Sequence, residues 1–244
     1  MGLNERVALP AGLSEAVAST GADWGPDGLL GRLWLRDSAV WTGRDESQWL
    51  GWLDVPHGNG PIGQWLTTFV ERLEQDGIRY AALLGMGGSS LFPDMLRQVF
   101  GHRRGVDLRV LDSTDPAQIR NLESRIDPAE ALFIVSSKSG STLEPNIFKQ
   151  YFFERVTEAV GVDQAGERFI AVTDPGSKLQ KVAEDNGFRH IFHGVPSIGG
   201  RYSQSHGQGD FCTALLRQSN YRGWNGRVFR ILGSGFSLST WTKR

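Results

Sequence analysis

From residue 79 the chain alternates short apolar runs with stretches of helical periodicity. Five runs read as strands: 79–86 (RYAALLGM), 107–113 (DLRVLDS), 131–137 (ALFIVSS), 168–174 (RFIAVTD) and 189–194 (RHIFHG). Between them, 90–101, 115–126, 143–161 and 177–187 read as helices. Pro145 falls in the first turn of the third of these, where its missing N–H costs little. The strands are apolar nearly throughout, so both faces of their sheet are buried and the pairing is parallel. The fold class expected is α/β: a doubly wound five-stranded parallel sheet. Upstream, 61–77 (PIGQWLTTFVERLEQDG) places Ile62, Trp65, Leu66, Phe69, Val70 and Leu73 at helical spacing and stops at Gly77. The pattern divides the chain into a helical, Trp-rich extension over 1–75, a sheet domain over 76–203 and an irregular tail over 204–244.

Charge sharpens that last boundary. Residues 1–203 hold 20 Lys/Arg against 26 Asp/Glu, whereas 204–244 hold 6 Lys/Arg and a single acid, Asp210. The whole chain carries a net charge of −1, so no global field recruits nucleic acid or an anionic membrane. No apolar run approaches the roughly 18 residues of a membrane span. Cys212 is the single cysteine, which excludes an intramolecular disulfide. The opening MGLNERVALPAG lacks an apolar signal core, and position 6 is Arg6 rather than the Ser or Thr that myristoylation prefers. A cytoplasmic protein is expected. Six of the 8 tryptophans lie before residue 76; the ordinary reading is large anchors between layers, and carbohydrate stacking is the lesser one.

In a parallel sheet, ligands sit beyond the carboxyl ends of the strands. Three loops follow strands there. Gly85-Met86-Gly87-Gly88-Ser89-Ser90 matches neither G-x-G-x-x-G, since Ser90 stands where a third glycine belongs, nor a P-loop. It reads equally as a tight strand-to-helix turn or as an anion site at a helix N-terminus. Ser136-Ser137-Lys138-Ser139-Gly140-Ser141-Thr142 packs five hydroxyls and a lysine into seven residues. A helix cap needs one or two hydroxyls. A phosphate monoester, with three acceptor oxygens, uses the whole set. Thr173-Asp174-Pro175-Gly176-Ser177 reads as a turn with Ser177 capping the next helix. Gly199-Gly200-Arg201-Tyr202-Ser203 mounts an arginine on two glycines, suited to an anion or a developing oxyanion. His190 and His193 read as structural histidines, there being no supporting metal-ligand spacing. No G-x-S-x-G elbow is present.

Taken in order, LLGMGGSSLFP, VSSKSGSTLEPN, VTDPGSKL and PSIGGRYS resemble the N-terminal sugar-isomerase (SIS) domain of the bacterial glucose-6-phosphate isomerase family. The lead-in RLWLRDSAVWTGRDESQWLGWL resembles the form fused to transaldolase. The likeness runs from about residue 25 to Ser203, and the ordered set is more specific than any one motif. It implies Gly88 and Ser89 near a sugar phosphate, and Ser137, Lys138, Ser139 and Thr142 as the phosphate cradle. It implies Arg201 as the group that stabilises the enediolate while a proton moves between C1 and C2 of glucose 6-phosphate and fructose 6-phosphate. The reaction belongs to glycolysis and gluconeogenesis and needs no metal or organic cofactor. The family is usually homodimeric.

After Ser203 the family continues into an apolar helix and then a second SIS domain that supplies a glutamate base, a ring-opening histidine and a lysine. The text QSHGQGDFCTALLRQSNYRGWNG shows no such match. The expectation is a truncated isomerase with an aberrant, shifted-frame tail over 204–244, binding sugar phosphate but lacking its base. Two other readings stand beside it. One is a non-catalytic sugar-phosphate-binding module, against which the acidic-to-neutral, Trp-rich first 75 residues offer no DNA-binding helix pair. The other is an amino-sugar-phosphate isomerase domain, disfavoured by Gly-Gly-Arg-Tyr-Ser.

Overall fold

The apolar runs do form strands. The computed structural model describes residues 9–25, 28–54, 64–100, 105–200, 211, 212, 214 and 215. In it β1 is Tyr80–Gly85, β2 Asp107–Leu111, β3 Ala131–Ser136, β4 Phe169–Thr173 and β5 His190–His193. All pair in parallel, in the order β2-β1-β3-β4-β5. The register sets Leu83 beside Val110 and Ile134, and Ala171 beside Val135 and Ile191. Each strand lies within a residue or two of its sequence-predicted span.

Among residues 9–200 that the structure describes, eight α-helices accompany the sheet: α1 Ala11–Asp23, α2 Leu29–Trp34, α3 Gln64–Gln75, α4 Gly88–Phe100, α5 Pro116–Glu123, α6 Leu143–Val160, α7 Val162–Ala165 and α8 Lys178–Asp185. Side chains alternate across the sheet, so each strand feeds two cores. On one face Ala81, Leu83, Leu108, Leu132, Ile134 and Ile170 meet Leu66, Val70 and Leu73 of α3 and Leu96 of α4. On the other, Ala82, Leu84, Phe133, Val135 and Ala171 meet Leu122 of α5, Phe148, Phe152 and Val156 of α6, and Leu179 and Ala183 of α8. Phe133 stacks between Phe152 and Phe169 at ring separations of 4.9 and 5.1 Å. Such pairs add about 0.5–1.5 kcal/mol each beyond the area they bury.

Two sequence expectations change. The Trp-rich extension is only partly regular helix: between α2 and α3 it runs as short 3-10 turns at Ser38–Val40, Glu46–Trp49 and Gly51–Asp54. Beyond residue 203, where only a tail was expected, helical Phe211 and Cys212 and helical Ala214 and Leu215 are buried in the first core. Phe211 packs on Phe192 at 5.0 Å and on Phe69 at 5.8 Å. Its spacing of four from Leu215 puts both on one helix face, a period too short to register amid the polar residues around it.

Candidate functional site

A strand order of 2-1-3-4-5 reverses direction between β1 and β3, and ligands collect at such a point. There the backbones crowd: a Cβ on Gly85 would come within 3.3 Å of the Ser136 carbonyl oxygen. A cleft of about 890 Å³ opens above the carboxyl ends of these strands. Its floor is built by the strand-end loops and its wall by the upstream segment.

The β1 loop turns at Gly87, whose φ of 57° is left-handed, and delivers Gly88 and Ser89 at the N-terminus of α4 to the cleft. They open a helix of 13 residues, whose aligned peptide dipoles point their positive end at the cleft. The β3 loop supplies Ser137, Lys138, Ser139 and Thr142. Its shape depends on Gly140, with φ 67°, where a Cβ would lie 2.3 Å from the Leu179 backbone nitrogen. Asn146 braces the loop by donating to the Thr142 carbonyl at 2.7 Å and the Gly140 carbonyl at 3.2 Å. Thr142 occupies the N-cap position of α6, yet its side chain makes no capping bond. Its hydroxyl instead lies 3.4 Å from that of Ser137. The Ser139 and Ser141 hydroxyls are 2.7 Å apart. The loop is therefore not spent on capping, the competing explanation for its composition.

Lys138 is the most constrained cation of the site. It pairs with Asp174, donates to the Pro196 carbonyl at 3.2 Å and lies 5.7 Å from the centre of the Trp49 ring. One side chain thus ties the β3 loop to the β4 loop, the segment after β5 and the upstream wall. Ser177 does cap α8, accepting from the Gln180 N–H at 3.0 Å. The same loop also brings Asp174 into the cleft, which its reading as a plain turn missed. A carboxylate 36 positions from its lysine leaves no local signal in the sequence.

Trp41, Trp49 and Trp52 line the cleft wall. Their ordinary reading, as anchors between layers, is incomplete for these three; Trp65, stacked on Phe192 at 5.8 Å, is of that kind. The wall is fastened to the post-β5 segment by an antiparallel bridge between Leu50 and Ile198 and by the Gly51 N–H donating to the Ser197 carbonyl at 3.0 Å. Glu46 holds the turn that carries Trp41. It accepts from the Thr42 hydroxyl and from the N–H groups of Thr42 and Arg44 at 2.9 and 2.7 Å. These bonds, led by that from the Thr42 side chain, lower its pKa to about 2.

Of the residues the sequence singled out, Gly88, Ser89, Ser137, Lys138, Ser139 and Thr142 converge on this cleft. Gly199 and Gly200 line its rim. Arg201 lies outside the described residues. His190 sits among Trp65, Phe69 and Phe192, and burial, helped by His193, lowers its pKa. Among the described residues no cluster of three or more His, Cys, Asp or Glu side chains could hold a metal ion, and no helix is long and apolar enough to cross a membrane.

Residues 70–220 match the sequence pattern of the family described as phosphoglucose isomerase. The chain belongs to that family. The match embraces every loop of the cleft floor and continues past Ser203, where the sequence reading placed the break, to include the buried Phe211, Cys212, Ala214 and Leu215. The chain is 34% identical over 151 residues to a glucose-6-phosphate isomerase of Prochlorococcus marinus, covering 60% of this chain and 28% of that protein. It is 33% identical over 145 residues to that of Frankia casuarinae, covering 58% and 24%. It thus spans about a quarter of the length of these relatives. Among solved structures, a hypothetical protein from Thermus thermophilus superimposes with a TM-score of 0.67 at 27% identity, over 84% of this chain and 46% of that one. A glucose-6-phosphate isomerase from Chlamydia trachomatis shares the fold, with a TM-score of 0.53 at 24% identity over 75% of this chain and 33% of that one.

Proposed function

We propose that the cleft holds the phosphate of glucose 6-phosphate or fructose 6-phosphate, as the phosphate-binding part of an aldose–ketose isomerase. The observation that carries this reading is the meeting of two donor-rich loops at one point, with the Thr142 hydroxyl left out of its helix cap. The N-terminus of α4 faces the same space, so backbone N–H groups and hydroxyls together suit a dianion. Family membership supports the substrate class, since the curated relatives are glucose-6-phosphate isomerases. Arg201, next after Gly200, would meet charge developing on the enediolate.

Isomerisation also needs a carboxylate within hydrogen-bond reach of the migrating proton. Among the described residues the carboxylates lining the cleft are Glu46 and Asp174. Glu46 is occupied by Thr42 and Arg44, and Asp174 by Lys138. Binding with little turnover is the behaviour expected of these 244 residues by themselves. Titration with fructose 6-phosphate should quench the cleft tryptophans saturably, and the double exchange Ser137→Ala/Thr142→Ala should abolish the effect. An unsaturable response, or one untouched by that exchange, sinks the binding reading. A coupled assay showing rapid conversion would overturn the expectation of low turnover and leave binding intact.

A further inference from the structure

β2 is the last strand of the sheet, and a second cavity of about 230 Å³ opens beside it. Three elements build it: α4 brings Arg97, β2 brings Arg109, and the α5 segment brings Gln118, Asn121 and Arg125. Gln118 and Asn121 stand three apart on one face of α5, and Arg125 lies in the turn that follows the helix. Leu122, on that same face, is buried beneath them.

The arginines are held from outside the cavity. Arg97 donates through Nε and Nη2 to Asp94 at 3.1 and 2.8 Å. Arg109 donates through Nε and Nη2 to Asp107 at 2.9 and 2.5 Å. Neither acid lines the cavity, and among the described residues no other acid does. A guanidinium has five N–H groups, so each of these two keeps donors beyond those its carboxylate takes. Arg125 forms no ion pair with a described residue. Three guanidiniums therefore line a cavity whose described lining holds no acid, two of them paired with carboxylates at its margin and Arg125 not, although acids outnumber bases over residues 1–203. Arg109 is only 29% exposed, so the charge it presents there is not fully screened by water.

We propose that this edge cavity binds a small anion, through a phosphate or carboxylate group, at a site separate from the cleft. Forked guanidiniums pre-set by their acids suit such planar or tetrahedral oxyanions. The amides of Gln118 and Asn121 add donors, and the volume suits a free phosphate or a short phosphorylated or dicarboxylic acid.

Equilibrium dialysis of the full chain against labelled inorganic phosphate at low ionic strength tests this. Two phosphates per chain are expected. Arg97→Gln/Arg125→Gln should remove one, and Ser137→Ala/Thr142→Ala the other. Arg125→Lys, which keeps the charge but loses the fork, should weaken the edge phosphate roughly tenfold. Malonate should displace the edge phosphate if carboxylates are taken too, and leave it in place if the site is selective for phosphate. If the arginine exchange leaves binding unchanged in a chain of native circular dichroism, the edge site is overturned. The same holds if the wild type binds one phosphate that the Ser137/Thr142 exchange abolishes, and then the cleft reading survives. One phosphate removed by the arginine exchange alone supports the edge site and overturns the cleft reading.

Discussion

Asp174 and Lys138 form an ion pair on the floor of the cleft with side chains only 20% and 23% exposed. A bound phosphate would compete with Asp174 for the same ammonium group. Asp174→Asn should therefore tighten fructose 6-phosphate several-fold in a fluorescence titration, while lowering stability by about 1–2 kcal/mol in urea, between the values for exposed and buried pairs. Weaker binding would mean that Asp174 positions Lys138 rather than screening it. Gly140 is the other sensitive residue. Gly140→Ala adds left-handed strain and a backbone collision at Leu179, and should cost more than about 2 kcal/mol in the same denaturation experiment. The hydroxyl content of the β3 loop and its glycine were legible in the sequence because chemistry and backbone freedom are local. The Lys138–Asp174 pair was not, because the fold alone decides which loops share an edge.

At the scale of elements, five strands and their covering helices could be read from period and punctuation, since burial on both faces leaves apolar runs bounded by Gly, Asp and Ser. The wall segment could not. Its 3-10 turns have no sustained period, and they take their shape from side-chain bonds such as those to Glu46. That dependence makes the wall sensitive to acid. The Thr42 hydroxyl and the neighbouring N–H groups hold the pKa of the Glu46 carboxyl at about 2 in the folded chain, below the ordinary glutamate value of 4.5, so its contribution is complete above about pH 4.5 and is lost as pH falls toward 2. Emission from Trp41 and Trp49 should report an acid step in that window, and Glu46→Gln should remove the step. Gly51 tests the fastening separately. A Cβ there would stand 2.2 Å from the Ser197 hydroxyl, so Gly51→Ala should shift the tryptophan emission to the red with little change in the melting of the sheet.

Across the whole molecule, the core extends beyond the point where motif and charge both break. Phe211 is fully buried, and Phe211→Ala should cost about 3–5 kcal/mol by thermal or urea unfolding. A loss below about 1 kcal/mol would show that residues after 203 are dispensable to the fold. The charge change at residue 204 was a true feature of the sequence but a poor guide to packing, since four small or apolar side chains suffice to join the core, Phe211 resting on Phe69 and Phe192.

The bridge between Leu50 and Ile198 joins points about 150 residues apart. During synthesis the wall leaves the ribosome long before its fastening exists. The sheet can assemble strand by strand as it emerges, whereas the cleft cannot close until the segment after β5 has been made. Ligand affinity should therefore appear late and abruptly along the growing chain, in the same short stretch of synthesis that completes the core with Phe211 and Leu215.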